Sequence, residues 1–231
     1  YLNNAQSVSY DFPAGEYEYL HLEGAWAREK HAEVNPVHKG TQGFESRRGA
    51  SGHTENPFIA FFEKGANEDF GNVYGISLVY SGNHKINIEV GAYESVRVQA
   101  GINPFCFSYR LEKGESFTTP EAVTVYSENG FAKMSQTFHK LYRTRLCRGK
   151  YRDSARPILI NNWEATYFNF NKDKLLSIAD YAQKIGLELF VLDDGWFGKR
   201  DDDTTSLGDW FVNTEKLGCT ISTLADEINK R

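Results

Sequence analysis

An indole and a pair of adjacent carboxylates are the residues of this 231-residue chain best placed to do chemistry. Trp163 follows the short apolar run Ile158-Leu159-Ile160, within Asn161-Asn162-Trp163-Glu164-Ala165. Asp193 and Asp194 follow the run from Leu187 to Leu192, apolar except at Glu188, and lead into Gly195-Trp196-Phe197-Gly198. If the two runs are neighbouring parallel strands, they lie about 4.8 Å apart, and the indole and the carboxylates line one mouth. A flat indole packs on the apolar C–H face of a pyranose ring. Carboxylates accept charge-assisted hydrogen bonds from hydroxyls. An Asp-Asp-Gly run is equally what a plain turn with capping side chains looks like; the strand-end position tips the balance towards a site.

The two carboxylates are poorly arranged to be an acid and a nucleophile. Glycosidase carboxylates stand on opposite sides of the scissile bond, about 5–5.5 Å apart for retention and about 6.5–9.5 Å for inversion. Side chains adjacent along a strand point in opposite directions, and neighbouring carboxylates raise each other's pKa. Asp193 and Asp194 fit the role of hydroxyl clamps better. Asp201-Asp202-Asp203 lacks the alternation of a calcium loop and reads as a solvated, capping stretch. His53, beside Asn56-Pro57, reads as a turn residue sooner than a general base.

The elements that must position these residues come in two kinds. In the first half the period is two: Tyr17, Tyr19 and His21; the run Ile76 to Tyr80; Ile86, Ile88 and Val90; Val96, Val98 and Ala100; Phe105, Phe107, Tyr109 and Leu111; Val123 with Val125. Strands at this spacing, separated by Gly, Asn and Pro turns, predict a large antiparallel sandwich. Phe131, Met134, Phe138, Leu141, Tyr142 and Leu146 then recur at steps of three and four, which predicts an amphipathic helix over 131–147. Its other face carries Lys140, Arg143, Arg145 and Arg148, a solvated or domain-facing surface.

From Pro157 strand and helix alternate. Ile158–Ile160 is a strand; Asn171 caps a helix with Leu175, Ile178, Ala179, Ala182 and Ile185 buried, ended by Gly186. Leu187–Leu192 is a second strand. Ser222 caps another helix with Ile221, Leu224, Ala225 and Ile228 inward. Apolar strands joined through a helix imply a parallel sheet covered on both faces. Two such strands cannot close a barrel, so the architecture reads as truncated after Arg231, and at its start as well. In a (β/α)8 barrel the strand C-termini carry the active site.

Composition narrows the classes. A net charge of −5 speaks against nucleic acid. No apolar run approaches the roughly 20 residues that span a bilayer. The three scattered cysteines, Cys106, Cys147 and Cys219, form no zinc spacing and suggest a reducing compartment, which makes a cytoplasmic location the expectation.

Several ordered motifs give the chain a resemblance that runs through almost its whole length. Ile158 to Phe168, Leu192-Asp193-Asp194-Gly195-Trp196-Phe197-Gly198, Arg200-Asp201-Asp202 and Leu207-Gly208-Asp209-Trp210 together resemble glycoside hydrolase family 36 α-galactosidases. Upstream, Gly24 to Glu29, Arg48 to His53 with Asn56-Pro57-Phe58, and Val73 to Asn83 are similar to the β-domain of that family. The resemblance implies that Asp193 and Asp194 bind the O4 and O6 side of galactose, that Trp163 walls the pocket and that Trp196 supports it. Trp26 resembles a β-domain tryptophan that approaches the sugar, although Trp26 and Trp196 also suit a core. Asp209 and Trp210 suit loop structure.

The family's nucleophile and acid/base lie on later strands, with no counterpart in residues 1–231, so this piece is expected to be inactive alone. Lys216-Leu217-Gly218-Cys219-Thr220 departs from the usual Leu-Pro pattern and leaves the path into the last helix open. The expected fold is a multidomain β plus α/β arrangement: a β-sandwich domain over 1–130, a connecting helix and linker over 131–156, and the start of a (β/α)8 barrel over 157–231. The resemblance further implies hydrolysis of terminal α-galactosides such as melibiose and raffinose with retention, no cofactor, and a homo-oligomer, commonly a tetramer; no residue is assigned as a metal ligand. Two rivals remain: a non-catalytic carbohydrate-binding or assembly module, and a related enzyme, either a raffinose-type transglycosidase or one preferring α-N-acetylgalactosamine.

Overall fold

The computed structural model describes residues 1–231. They form two compact units, Tyr1–Cys147 and Arg148–Arg231. No helix is long and apolar enough to cross a membrane.

The first unit is a sandwich of nine strands: β1 Ala5–Phe12, β2 Tyr17–Ala25, β3 Arg28–Pro36, β4 Gly40–Glu45, β5 Glu55–Glu63, β6 Val73–Val79, β7 His84–Val90, β8 Val96–Ile102 and β9 Glu121–Ser127. One sheet has the order β1-β8-β7-β4 and the other β3-β2-β5-β6-β9, with every pairing antiparallel. Alternation sets the register. Ile86 faces Ala100 and Ile88 faces Val98, so one face of the smaller sheet is apolar. That face meets Tyr17, Tyr19, Ile59, Phe61 and Ile76 of the larger sheet to make the inter-sheet core.

Strand β5 is buried on both sides. Ile59 and Phe61 enter the inter-sheet core, whereas Ala60 and Phe62 face α1 (Gly130–Leu141), where Met134 and Phe138 cover them. The close approach of α1 explains Gly75 on β6, where a Cβ would stand 2.5 Å from Phe138 and 2.8 Å from Met134. The α-helix predicted to reach residue 147 keeps its regular winding only to Leu141. It continues as a wider π-turn over Tyr142–Leu146, closed by Cys147 N–H donating to the Tyr142 carbonyl at 2.8 Å.

The strand expected over 105–111 does not form. Pro104 has no N–H to give, and the Asn103 side chain accepts from Phe105 N–H at 3.0 Å, which turns the chain away. Only Tyr109 bridges, to Leu2. Asn103 is itself buried, and its Nδ2 donates to Glu45 Oε2 and to the carbonyls of Ser46 and His84.

In the second unit β10 (Leu159–Asn161) pairs in parallel with β11 (Leu189–Val191), Asn161 opposite Val191. The short helix α2 (Trp163–Thr166) follows β10, and α3 (Lys172–Lys184) starts where the Asn171 side chain accepts from Lys174 N–H. Leu175, Leu176, Ala179 and Ala182 of α3 are buried; Ile185, expected in that stripe, is 74 % exposed because the helix has already ended. The strand expected over 187–192 is confined to three residues, and the Glu188 side chain is spent accepting from Ile158 N–H. Helix α4 (Thr214–Leu217) ends at Gly218 with φ +74°. Thr220, rather than Ser222, caps α5 (Ile221–Asn229) by accepting from Thr223 N–H at 3.2 Å. Of the apolar residues expected inward on α5, Leu224 is buried, Ile228 packs on the core, and Ile221 and Ala225 are exposed. Phe170, Leu175, Leu176, Leu217 and Leu224 form the core of this unit.

One buried group makes the sandwich sensitive to acid. His84 opens β7 with no exposed surface, and its ring nitrogens complete no hydrogen bond of normal geometry. Burial holds its pKa below the ordinary 6.5, against weaker opposing pulls from the Gly82 backbone and from Glu55 and Glu45. The unfolded chain therefore takes up this proton first, and stability is lost as pH falls below about 6.5. Denaturant midpoints measured from pH 7.5 to 5 are expected to fall for the native chain and to flatten for His84→Leu; equal slopes in both would contradict the assignment.

Candidate functional site

Parallel pairing puts the C-terminal ends of β10 and β11 side by side. The ladder ends at Asn161↔Val191; Trp163 opens α2 two residues after the one, and Asp193 follows two residues after the other. Asn161 then joins them: its Oδ1 accepts from Trp163 N–H at 2.8 Å, and its Nδ2 donates to Asp193 Oδ2. Both Trp163 and Asp193 remain partly exposed.

Asn162 holds the same edge from beneath, with no exposed surface. Its Oδ1 accepts from Asp193 N–H at 2.8 Å, its Nδ2 donates to Thr166 Oγ1 at 2.9 Å, and its backbone N–H reaches the Val191 carbonyl at 3.3 Å. One buried amide thereby fixes the turn after β10 and the turn after β11 together. The indole of Trp163 is set edge-to-face against Phe168, 4.8 Å between centroids, and against Tyr167 at 5.3 Å.

The two carboxylates diverge. Asp193 leans towards β10, and its Oδ1 accepts from Asp194 N–H at 2.7 Å. Asp194 faces the following loop, where Arg200 grips it: Nε lies 2.9 and 3.0 Å from its two oxygens, and Nη2 lies 2.9 Å from Oδ2. Gly195 N–H adds a bond at 2.7 Å. The Arg200 hydrogen bonds, helped by Gly195 N–H and by Lys216, hold the Asp194 carboxyl below the usual carboxylate range against the opposing effect of burial. A carboxylate offers about four acceptor sites. Asp194 has most of its sites engaged, whereas Asp193 keeps more of its capacity for an incoming hydroxyl.

Arg200 is only 4 % exposed, and its Nη1 donates to the Thr205 carbonyl at 2.7 Å. Its guanidinium lies 5.7 Å from the Phe168 ring centre. Lys216 Nζ closes the loop, donating to the Arg200 carbonyl at 3.2 Å and to Asp201 Oδ1 at 3.0 Å. Gly195, with φ +89°, is needed in this crowd: a Cβ there would stand 3.1 Å from Phe168 and 3.3 Å from Phe170.

The other residues singled out in the sequence stand apart. Trp196 packs against the Leu175–Leu217–Leu224 core and edge-to-face on Phe197 at 5.3 Å, and its carbonyl accepts from Asn213 N–H. Trp26 occupies the tip of the β2–β3 hairpin with 85 % of its surface exposed, so the core alternative for it is removed. Asp202 turns back on Thr204, accepting from its N–H at 2.8 Å and its hydroxyl at 2.6 Å. Asp209 and Trp210 are exposed, with the Trp210 ring 4.6 Å from that of Phe197. Asn161, Asn162 and Arg200 were not singled out as functional, although all three lie inside the motifs. Their roles depend on contacts across 6 to 32 residues, which no local spacing reveals.

Known proteins share this architecture. The melibiase family model matches residues 116–231, and the glycosyl hydrolase family 36 N-terminal domain matches residues 1–112. The chain belongs to the melibiases of glycoside hydrolase family 36. It is 57 % identical over 229 residues to the α-galactosidase AgaA of Geobacillus stearothermophilus, covering 99 % of this chain and 31 % of that protein. It is 46 % identical to the α-galactosidase Mel36A of Lactobacillus acidophilus, covering 100 % and 32 %. A crystal structure of an AgaA variant in complex with raffinose superposes with a TM-score of 0.96 at 56 % identity, covering 99 % of this chain and 32 % of that one. The chain thus spans about a third of the length of these relatives.

Asn162 gives the site its first test. Asn162→Ala leaves Asp193 N–H without its buried acceptor and removes the amide bond to Thr166 Oγ1, which keeps the carbonyl of residue 162 as a partner; the change is expected to cost about 1–3 kcal/mol. Chemical denaturation of the second unit, followed by its tryptophan fluorescence, reads this cost; a midpoint equal to that of the native chain would show that the amide does not clamp the two turns.

Proposed function

We propose that this chain forms the sandwich and opening barrel strands of a retaining α-galactosidase acting on terminal α-galactosides such as melibiose and raffinose. The observation that supports the reading is the Asn161 bridge, which ties the Trp163 backbone to the Asp193 carboxylate where two parallel strands end. On this reading the C–H face of galactose packs on Trp163. Asp193 accepts from a hydroxyl on the O4 and O6 side, with the remaining capacity of Asp194 beside it. Trp196 acts through the core beneath, and the exposed ring of Trp26 is available to a ligand or a protein surface. The α-galactosidases among the relatives support the substrate class, as does the raffinose complex of one of them.

In a retaining reaction a carboxylate attacks the anomeric carbon while an acid protonates the leaving oxygen, and water then releases the sugar. Neither role falls to residues 1–231 on this reading, because Asp193 and Asp194 are adjacent and held apart by different partners. No cofactor enters it. A homo-oligomer, commonly a tetramer, and a cytoplasmic location complete the proposal; the three free cysteines suit a reducing compartment.

Isothermal titration of the chain with galactose tests the site. Binding is expected, weakened at least tenfold, about 1.4 kcal/mol, by Asp193→Asn and by Trp163→Ala. Affinity unchanged in both variants would move the sugar to the sandwich and favour a carbohydrate-binding module. The chain is expected to release no galactose from melibiose; measurable release would place a catalytic pair inside it.

A further inference from the structure

Arg200 is a buried cation whose contacts run in two directions. All three guanidinium nitrogens are spent within the protein, two on Asp194 and one on the Thr205 carbonyl, and almost none of the residue reaches solvent. It is therefore unable to touch a ligand itself. Its remaining face lies near Phe168, and Phe168 in turn stands edge-to-face against Trp163. Through one planar group the carboxylate on the β11 side and the indole on the β10 side share a support.

We propose that Arg200 is the positioning residue of this site, holding Asp194 on one side and, through Phe168, the Trp163 wall on the other, so that carboxylate and indole stay in fixed relation. The inference rests on reading these strand ends as a galactoside site. Arg suits the task because its fork meets both carboxylate oxygens while its guanidinium carbon stands 5.7 Å from the centre of the Phe168 ring; the ammonium of Lys has no such fork. Charge matters as much as shape. Burial opposes the charge of Asp194, and Arg200 offsets that opposition, while Lys216 anchors the Arg200 backbone through its carbonyl.

The test compares Arg200→Gln and Arg200→Lys with the native chain. Carboxyl carbon NMR follows Asp194, assigned with Asp194→Asn, and the indole N–H signal follows Trp163, assigned with Trp163→Phe. Arg200→Gln is expected to raise the Asp194 midpoint by about one pH unit or more and to displace the Trp163 signal. Arg200→Lys is expected to recover part of the Asp194 shift through its charge while leaving the indole displaced. A residue that merely stabilises the fold would lower the melting temperature and leave both signals in place; that result in either folded variant overturns the proposal. If Arg200→Gln fails to fold, Arg200→Lys decides alone by the displaced indole. Galactose affinity is expected to fall about tenfold in Arg200→Gln. A native chain that binds no galactose would remove the functional reading, while the Asp194 and Trp163 signals would still judge Arg200.

Discussion

Parallel pairing of two three-residue strands decides where anything chemical in residues 148–231 can stand. A parallel ladder sends both chains out at the same end, so the residues that follow β10 and β11 have to share one edge. An antiparallel pair would have put Trp163 and Asp193 at opposite ends. With the edge shared, short polar side chains can reach across it, and Asn161 and Asn162 do so. The turns that carry Trp163 and Asp193 leave from the same edge because the backbone makes them so, and the two amides tie those turns to each other.

Buried polar groups then do the fine placement, and they divide the two carboxylates into unequal roles. Asp193 is tied by single hydrogen bonds from Asn161 and from the Asp194 backbone, and it keeps acceptor capacity. Asp194 is engaged by a buried guanidinium. Adjacent in sequence, the pair resembles a double clamp; in three dimensions one member bonds across to Asn161 and the other is held by Arg200 of the following loop. Removing Asp194 would be costly, because the buried Arg200 charge would remain behind in a poor solvent.

Much of this architecture can be read from residue order, and the parts that cannot have physical reasons. β7 and β8 alternate cleanly because one of their faces is buried and the other is not. β5 shows no alternation, since Ile59 and Phe61 serve the inter-sheet core while Ala60 and Phe62 serve α1. β3 lies at a sheet edge and is exposed along most of its length, so Arg28 to Pro36 carries no apolar signal. The apolar alternation at 105–111 pointed to a strand, but Pro104 and the Asn103 side chain override it locally. At the site, Trp163 and Asp193 are legible because apolar strands precede them. Asn162 and Arg200 are not, because a buried amide and a buried guanidinium look, in sequence, like ordinary surface residues. The Arg200-Asp201-Asp202 motif marks the place without stating the contact.

The most direct measurement is a crystal structure of the chain soaked with galactose at saturating concentration. The account predicts a pyranose whose C–H face lies on Trp163, with a hydroxyl within hydrogen-bond distance of Asp193 and with Arg200 still engaged only by Asp194 and Thr205. Galactose ordered elsewhere on the molecule, with the ends of β10 and β11 empty, would contradict it.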